Sequence, residues 1–508
     1  MKLVERYSLL EPDRQPYLDR ARRCAALTVP SVCPSEGQTA ANILPQTYQS
    51  FNSRASLNLA SKLLMSLLPP GVSSFNLKVP TEVLMEQGEL TPPPDIVVGL
   101  AKCEQLVNDK VESLGWRRPT YTALLHLIVA GNIGEYITPA GTLKQYRLEQ
   151  FVCVRDWDGE VIEAVTAEQM RVRSLPQHLR IHTEKKEDET VTLYTRFTRK
   201  AGDRDVDKSY TVQQDLDDQT ITVETTHTGI MPFNCPAWEL VPGEHYGRSH
   251  CENNYSDLQS LDVVSQQLRE ASAMASRNLI FVAPNASGGN LRKRIQEARN
   301  GAVLSGRGGQ NGDIQPFQFN NAAAMQTMAA EKQDLQRGLA QAFLLTGDLR
   351  RDAERVTAYE LQMLASEIEQ ALGGVYSLLS GFQRWRIRKL IAQMQSRGEL
   401  PDLGDKVNIE VTTGLEALGK DAQVNKARTL FGLFAEVPQA FQEEAADYLK
   451  LDTILGPTVA AIGFPGAVRS GDEVAANRQA KQQQAMTSDI AKAVAGPVAG
   501  AMAQQTTQ

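Results

Sequence analysis

Between Tyr246 and Phe382 the chain reads as a long amphipathic helix, a Gly- and Arg-rich excursion, a second helix, and a charged loop opening a very long third helix. An up-and-back helical pair that carries an extra lobe, with no catalytic constellation beside it, positions something and does not transform it. The first helix sets Leu258, Leu261, Val264 and Leu268 on one stripe, and the second sets Met325, Met328, Leu335, Leu339 and Phe343. The excursion contains LIFVAP, NASGGNLRKRI, GRGGQNG and FQF, which predict two short strands around a loop with a small helix. Residues 357–397 predict a helix of about 60 Å at 1.5 Å per residue, begun by Thr357 with Glu360 and kinked at Gly373-Gly374.

At 508 residues the chain exceeds one compact core and predicts two to four sub-domains. Helices are expected at 8–30, 46–68, 95–114 and 119–131, with a strand at 75–79. From 136 to 240, Thr-, Val- and Tyr-rich runs at 151–154, 161–166, 190–198, 209–213 and 220–226 alternate with charged turns and predict antiparallel strands. A strand at 406–412 and helices at 420–435 and 438–455 follow. The Ala/Gln-rich end, RQAKQQQAM and AVAGPVAGAMAQQTTQ, is expected to be mobile or ordered only by neighbours.

No apolar run reaches the roughly 20 residues needed to span a bilayer, because Asn58, Ser61 and Lys62 interrupt the best candidate, Leu57–Leu68. The charged start MKLVERYSLLEPDR has no secretion-signal core, so a cytosolic product is expected. The six dispersed cysteines lack zinc spacing and read as reduced, structural thiols. His178 with His182, and His245 with His250, read as surface or capping histidines and not as ligands. A formal net charge of −7 opposes simple affinity for phosphate backbones, so any DNA contact must be local.

Three charge features bear on function. The excursion concentrates Arg292, Lys293, Arg294, Arg299 and Arg307 against Glu297 and Asp313, a docking surface for an acidic partner or nucleic acid, or else a solvated face. The loop LLTGDLRRDAERV mixes Arg350, Arg351 and Arg355 with Asp348, Asp352 and Glu354, so it touches and releases a polyanion without gripping it, unless it is a plain exposed loop. Residues 436–452 hold Glu436, Glu443, Glu444, Asp447 and Asp452 against Lys450, and repel nearby DNA. One nucleotide-like frame, Gly414 through Gly419-Lys420, ends in Asp421 where a magnesium-binding hydroxyl belongs, and bulky Leu415 and Leu418 sit where backbone should wrap phosphate.

Six blocks, LASKLLMSLLPP (59–70), LHLIVAGNIGEYI (125–137), YRLEQFVCVRD (146–156), HYGRS (245–249), ERVTAYELQMLASEIEQALGGVYSLLS (354–380) and TTGLEALGKD (412–421), carry a family likeness. Their order closely resembles the head-to-tail connector, or portal, proteins of short-tailed podovirus-type phages, over about residues 5–435. The resemblance implies an α+β, mainly helical, portal-type subunit with an α/β wing, a two-helix stem, a small α/β clip and a helical crown. By segment, it implies a wing at 1–249 completed by the long helix and strand at 357–420, and stem helices at 250–278 and 322–343. It places the clip at 279–321, a tunnel loop at 344–356, crown helices at 421–470 and a flexible tail at 471–508.

The same likeness implies a ring of twelve at one capsid vertex, through which double-stranded DNA enters on packaging and leaves on ejection. Implied partners are the terminase large subunit, tail adaptor and nozzle proteins, and major capsid and scaffolding proteins, with assembly in the host cytoplasm and residence in the virion. It implies no enzyme activity, no cofactor, no metal and no membrane. Twelve copies at −7 each would carry −84 in all, so DNA would meet mostly repulsion with few sticking points. A different head–tail ring adaptor is the rival reading, and a nucleotide-binding enzyme using Gly414, Gly419 and Lys420 is the other.

Overall fold

The computed structural model describes residues 2–275 with breaks at 39–41, 43, 70–72, 80–93 save Met85, 182, 200–208 and 217–218. It also describes 279–282, 314–317, 322–345, 370, 374–400, 410–413 and the single positions Lys293, Glu297, Thr429, Leu430 and Gly432.

Helix α1 (Leu3–Leu27) buries Leu3, Tyr7, Leu10, Arg14, Leu18, Ala21 and Cys24, a stripe at helical spacing. It begins five residues before the expected start, and Pro12 and Pro16, which each remove one helical hydrogen bond, both lie on its exposed side. Tertiary anchors hold its first turns. The Leu3 amide donates to Asp215 at 3.0 Å, and Arg6 meets both Glu163 oxygens at 3.0 and 2.5 Å. Arg14 donates to the Tyr7 hydroxyl and the Glu149 carbonyl at 2.6 and 2.8 Å.

Helix α2 (Phe51–Leu67) is followed by strand β1 (Phe75–Lys78), helix α3 (Pro94–Ser113) and helix α4 (Arg117–Ala130). Strands β2 (Gly134–Ile137) and β3 (Leu143–Tyr146) lead into β4 (Phe151–Arg155) and β5 (Val161–Arg171). The short helix α5 (Gln177–Arg180) precedes β6 (Thr190–Thr198), β7 (Ser209–Leu216), β8 (Gln219–Thr228) and the brief β9 (Phe233–Asn234). The five runs expected to be strands are all present as β4 to β8, in an antiparallel meander ordered β4-β5-β6-β7-β8. Helix α1 packs on one face of this sheet through the Tyr7–Tyr194 edge contact. The other face meets the small sheet β3-β2-β9, where Phe197 stacks on Phe233 at 4.9 Å.

Helices α6 (His250–Asn253), α7 (Tyr255–Ala275) and α8 (Ala322–Ala342) follow, with strands β10 (Leu279–Val282) and β11 (Ile314–Phe317) between α7 and α8. Helix α9 (Gly374–Ser396) and strand β12 (Glu410–Thr413) complete the described elements. Strand β12 pairs antiparallel with β1, so residues 75–78 and 410–413 form one ribbon. The expected start of the long helix, its kink at Gly373-Gly374, the helices at 420–435 and 438–455 and the tail at 471–508 fall outside the described residues, apart from Gln370, Gly374, Thr429, Leu430 and Gly432.

Helix α9 is tied to the N-terminal half by a buried ion pair. Arg386, 1% exposed, sends Nε and Nη2 to the two oxygens of Glu135 at 2.6 Å each, and its Nη1 donates to Thr120 at 3.0 Å. Glu135 lies on β2 and is wholly buried. Trp385 donates to the Met231 carbonyl at 3.2 Å and Lys389 to the Ile230 carbonyl at 2.5 Å, which fastens the same helix to the β8–β9 turn.

All six cysteines are buried free thiols, as their dispersion predicts. Burial pushes Cys24 up to about 11 and Cys33 up to about 12.

Two outcomes are expected in urea denaturation of the full chain. Arg386→Met strands the Glu135 carboxylate in the core and costs about 3–5 kcal/mol, whereas adding Glu135→Leu recovers most of the loss. Separately, burial first and Arg147 second push the His126 imidazole from 6.5 to about 4. The unfolded chain therefore binds the extra proton, and stability is lost as pH falls from about 6.5 towards 4, on the order of 3 kcal/mol. His126→Gln flattens that slope, and an unchanged slope in the variant refutes the assignment.

Candidate functional site

Two sequence blocks that are far apart in the chain meet at the root of the helical pair. Gly131 ends α4 at φ +77, and a Cβ there would lie 2.8 Å from the Arg248 carbonyl carbon. A Cβ on Gly247 would lie 2.6 Å from that of Ala237, so both glycines permit backbone contact that no side chain allows. Asn132 then clasps Gly247 reciprocally, its amide donating to the Gly247 carbonyl and its carbonyl accepting the Gly247 amide, both at 2.7 Å. The next residue back, Tyr246, accepts the Cys153 amide at its hydroxyl at 3.0 Å. The blocks VAGN, FVCVRD and HYGRS thus close on one spot.

From this clasp the chain enters the helices. The pattern expected to resume near Tyr246 instead starts at α6, because 239 and 248 form a β-bridge and Ser249 caps the helix by accepting the Glu252 amide at 2.9 Å. Asn254 then separates α6 from α7. His245 and His250, expected to be surface or capping residues, are both engaged. His245 Nδ1 accepts the Arg155 amide at 3.1 Å. His250 packs against Trp238 and Phe343 and places Nε2 at 3.0 Å from the Ala342 carbonyl, joining the start of the outgoing helix to the end of the returning one. Burial lowers the His250 imidazole, which the Ala342 carbonyl partly opposes, so the ring is the neutral donor at pH 7.

The returning helix ends in a Schellman arrangement. The Leu345 amide reaches the Ala340 carbonyl at 2.7 Å, and the Leu344 amide reaches that of Gln341 at 3.2 Å. Leu344 holds φ +52, a conformation that costs a non-glycine residue about 1–2 kcal/mol. Its buried side chain and the Asn58 amide on its carbonyl at 3.2 Å keep it there. This is the last described turn before the charged loop.

The stripe is buried only near the root. Leu258, Leu261, Val264, Leu339 and Phe343 are buried, and Leu335 is half-buried. Met325, Met328 and Leu268 are only partly covered, Val263 and Met274 are exposed, and among the described residues nothing from 266 to 275 or from 323 to 338 is fully buried. A groove of about 620 Å³ between the helices is lined by Asp257, Glu331 and Asp334 with Thr327 and Leu335. The far end is the ribbon of β10 and β11, antiparallel from Leu279 opposite Phe317 to Val282 opposite Ile314, which is the expected pair of short strands.

Of the basic set, Lys293 is described: it is exposed, helical, and 3.9 Å from Glu297. Arg292, Arg294, Arg299 and Arg307 lie outside the described residues, as do Asp348, Arg350, Arg351, Asp352, Glu354 and Arg355 of the charged loop and Gly414, Gly419 and Lys420. The clasp and the His250–Ala342 joint were not read from the sequence. A signal existed in Gly131-Asn132 and Gly247, which resemble turn residues until their partners are known.

Comparisons with known proteins bear on this architecture. The family model described as bacteriophage head to tail connecting protein matches residues 1–469. The portal protein of Enterobacteria phage T3 is 32% identical over 448 residues, covering 84% of this chain and 81% of its own. That of Escherichia phage T7 is 32% identical over 441 residues, covering 83% and 79%. Among solved structures, a chain of the virion of a native gene transfer agent particle aligns with 75% of this chain and 85% of its own, at a TM-score of 0.37 and 12% identity. The matched family is one of structural parts, which leaves the frame around Gly419 and Lys420 without a nucleotide to serve. On the span of the family match and the identity to its relatives, the chain belongs to the bacteriophage head-to-tail connecting protein family and is a portal-type structural connector, not an enzyme.

Proposed function

We propose that copies of this chain, twelve by the family's pattern, close into a ring at one capsid vertex and form the conduit for double-stranded DNA. The observation that carries the ring is the helical pair: its stripe is buried at the root through Leu258, Leu261, Val264, Leu339 and Phe343, yet further along Leu268, Met325 and Met328 are only partly covered in the single chain. A helix pair that half-satisfies its own stripe is completed by lateral neighbours, and a head-to-tail interface that closes on itself makes a ring. Residues 250–278 and 322–343 serve as the stem, 279–321 as the clip, and 1–249 with 357–420 as the wing. The segment 421–470 serves as the crown and 471–508 as its tail.

In this reading the tunnel loop at 344–356 offers DNA three arginines offset by three acids, so contacts form and break as the polymer passes. The acidic groove of Asp257, Glu331 and Asp334 adds repulsion along the stem. Arg292, Lys293, Arg294, Arg299 and Arg307 on the clip dock the terminase large subunit during packaging and tail adaptor and nozzle proteins afterwards. Major capsid and scaffolding proteins surround the wing, and the assembled ring, built in the host cytoplasm, remains in the virion at the junction of head and tail.

Negative-stain class averages of the purified protein test the ring: closed annuli with a wide flange are expected, and a protein that stays monomeric at high concentration refutes it. Arg350→Glu combined with Arg351→Glu is expected to leave annuli intact while lowering the DNA packaged or retained per particle. Full packaging in that variant removes the role given to the loop. Lys420→Ala is expected to change nothing in a nucleotide-hydrolysis assay, since the parent has no turnover to lose.

A further inference from the structure

The hairpin between β4 and β5 ends in Asp156-Trp157-Asp158-Gly159-Glu160, and Trp157 stands 84% exposed at its tip. The turn beneath it is tightly built. The Asp156 amide donates to the Glu160 carbonyl at 2.9 Å, and the Gly159 amide donates to the Asp156 carbonyl at 3.1 Å. Asp156 Oδ1 accepts the amides of Asp158 and Glu160 at 3.1 and 3.0 Å, and Arg155 donates to the Gly159 carbonyl at 2.9 Å. Arg199 pairs with Asp156 at 3.4 Å, and Gly159 takes φ +82. A large indole held in water by so ordered a turn loses little entropy when it is covered, which is the character of an interface anchor.

A matching socket lies in the same chain. Between the inner face of β6 to β8 and the C-terminal half of α9 is an open cleft of about 690 Å³, lined by Tyr136, Tyr210, His227, Lys144, Lys389 and Arg397 among others. Its walls are aromatic and cationic: Lys389 Nζ is 5.1 Å from the Tyr210 ring centre, and His227 stacks on Tyr210 at 5.2 Å. Glu168, salt-bridged to Lys144, is the acid among the lining residues, so the cleft is net positive. The tip carries Asp156, Asp158 and Glu160, so the two are complementary in sign as well as in apolar character.

Topology decides where knob and socket can meet. The sheet runs β4-β5-β6-β7-β8; Trp157 sits at the tip of the β4–β5 hairpin, whereas the sheet's contribution to the cleft comes from β5 to β8, chiefly β6, β7 and β8. Complementary features at separate places on one subunit are what a side-by-side, head-to-tail contact uses. Resting on the ring reading above, we infer that Trp157 of each copy seats in the aromatic, cationic cleft of its neighbour, with Asp158 and Glu160, the exposed acids of the tip, facing the cleft's lysines and arginine.

The test uses full-length protein carrying Asp158→Cys together with Thr225→Cys, the latter exposed at the cleft, treated with a short bis-maleimide after assembly. The native cysteines are buried and give little background, and each single variant is a control. A ladder of covalent multiples is expected from the double variant alone. Because Trp157 is exposed, Trp157→Ala leaves the subunit folded, and it is expected to raise the concentration for half-assembly by about tenfold or more. Rings that form normally without cross-links, or that leave Thr225→Cys as reactive as in the monomer, overturn this inference and spare the ring. Protection that appears only when a capsid or tail protein is added also overturns it. Protein that never associates overturns both readings together.

Discussion

The seating of α9 on the N-terminal half depends on a charge pair that water cannot reach. Arg386 and Glu135 come from α9 and β2, and their forked contact at 2.6 Å is supported by Thr120 and Gln383 on the guanidinium and by Gln145 on the carboxylate. Such a pair adds little net stability compared with apolar residues of the same volume, because desolvation offsets the attraction. Its value is in register: a buried arginine has one acceptable partner, so α9 cannot slide or rotate on the sheet without stranding a charge. Lys389, Trp385 and Gln393, within two turns on either side, then find the Ile230, Met231 and Thr138 carbonyls.

The same logic of a single permitted fit governs the root of the helical pair. Gly131 and Gly247 let two backbones approach, Asn132 fixes them, and Ser249 starts the helix from that fixed point. His250 ties that start to the end of α8 through Ala342. Direction is therefore imposed on the helical pair at its base, by hydrogen bonds of defined geometry, while its apolar stripe further out is only partly covered.

Much of this was legible in the sequence for reasons that can be named. The strands β4 to β8 announce themselves by alternating Thr, Val and Tyr between charged turns, and the helical pair by the spacing of Leu258, Leu261 and Val264. The N-terminal boundary was not legible, since no local signal extends the helix back from residue 8 to Leu3. Only the distant Glu163 and Asp215 explain why Leu3 and Arg6 are helical. His250 read as a surface or capping residue because nothing local reveals that Trp238 and Phe343 enclose it. Long-range partners of this kind leave no periodicity. The charge patterns at 292–307 and 348–355 stand as sequence readings: of these residues, Lys293 and Glu297 are among the described ones, and the rest lie outside them.

The ribbon joining residues 75–78 to residues 410–413 has a consequence for biosynthesis. A ribosome delivers β1 early, but its pairing strand emerges only after the helical pair and the whole excursion have been translated. Until then the α3–α9 layer lacks both its closing helix and its closing strand, and such distant pairing is slow to form. The finished subunit is consequently a post-translational product. Until Glu410–Thr413 arrive, a nascent chain holds β1 without the strand that pairs with it.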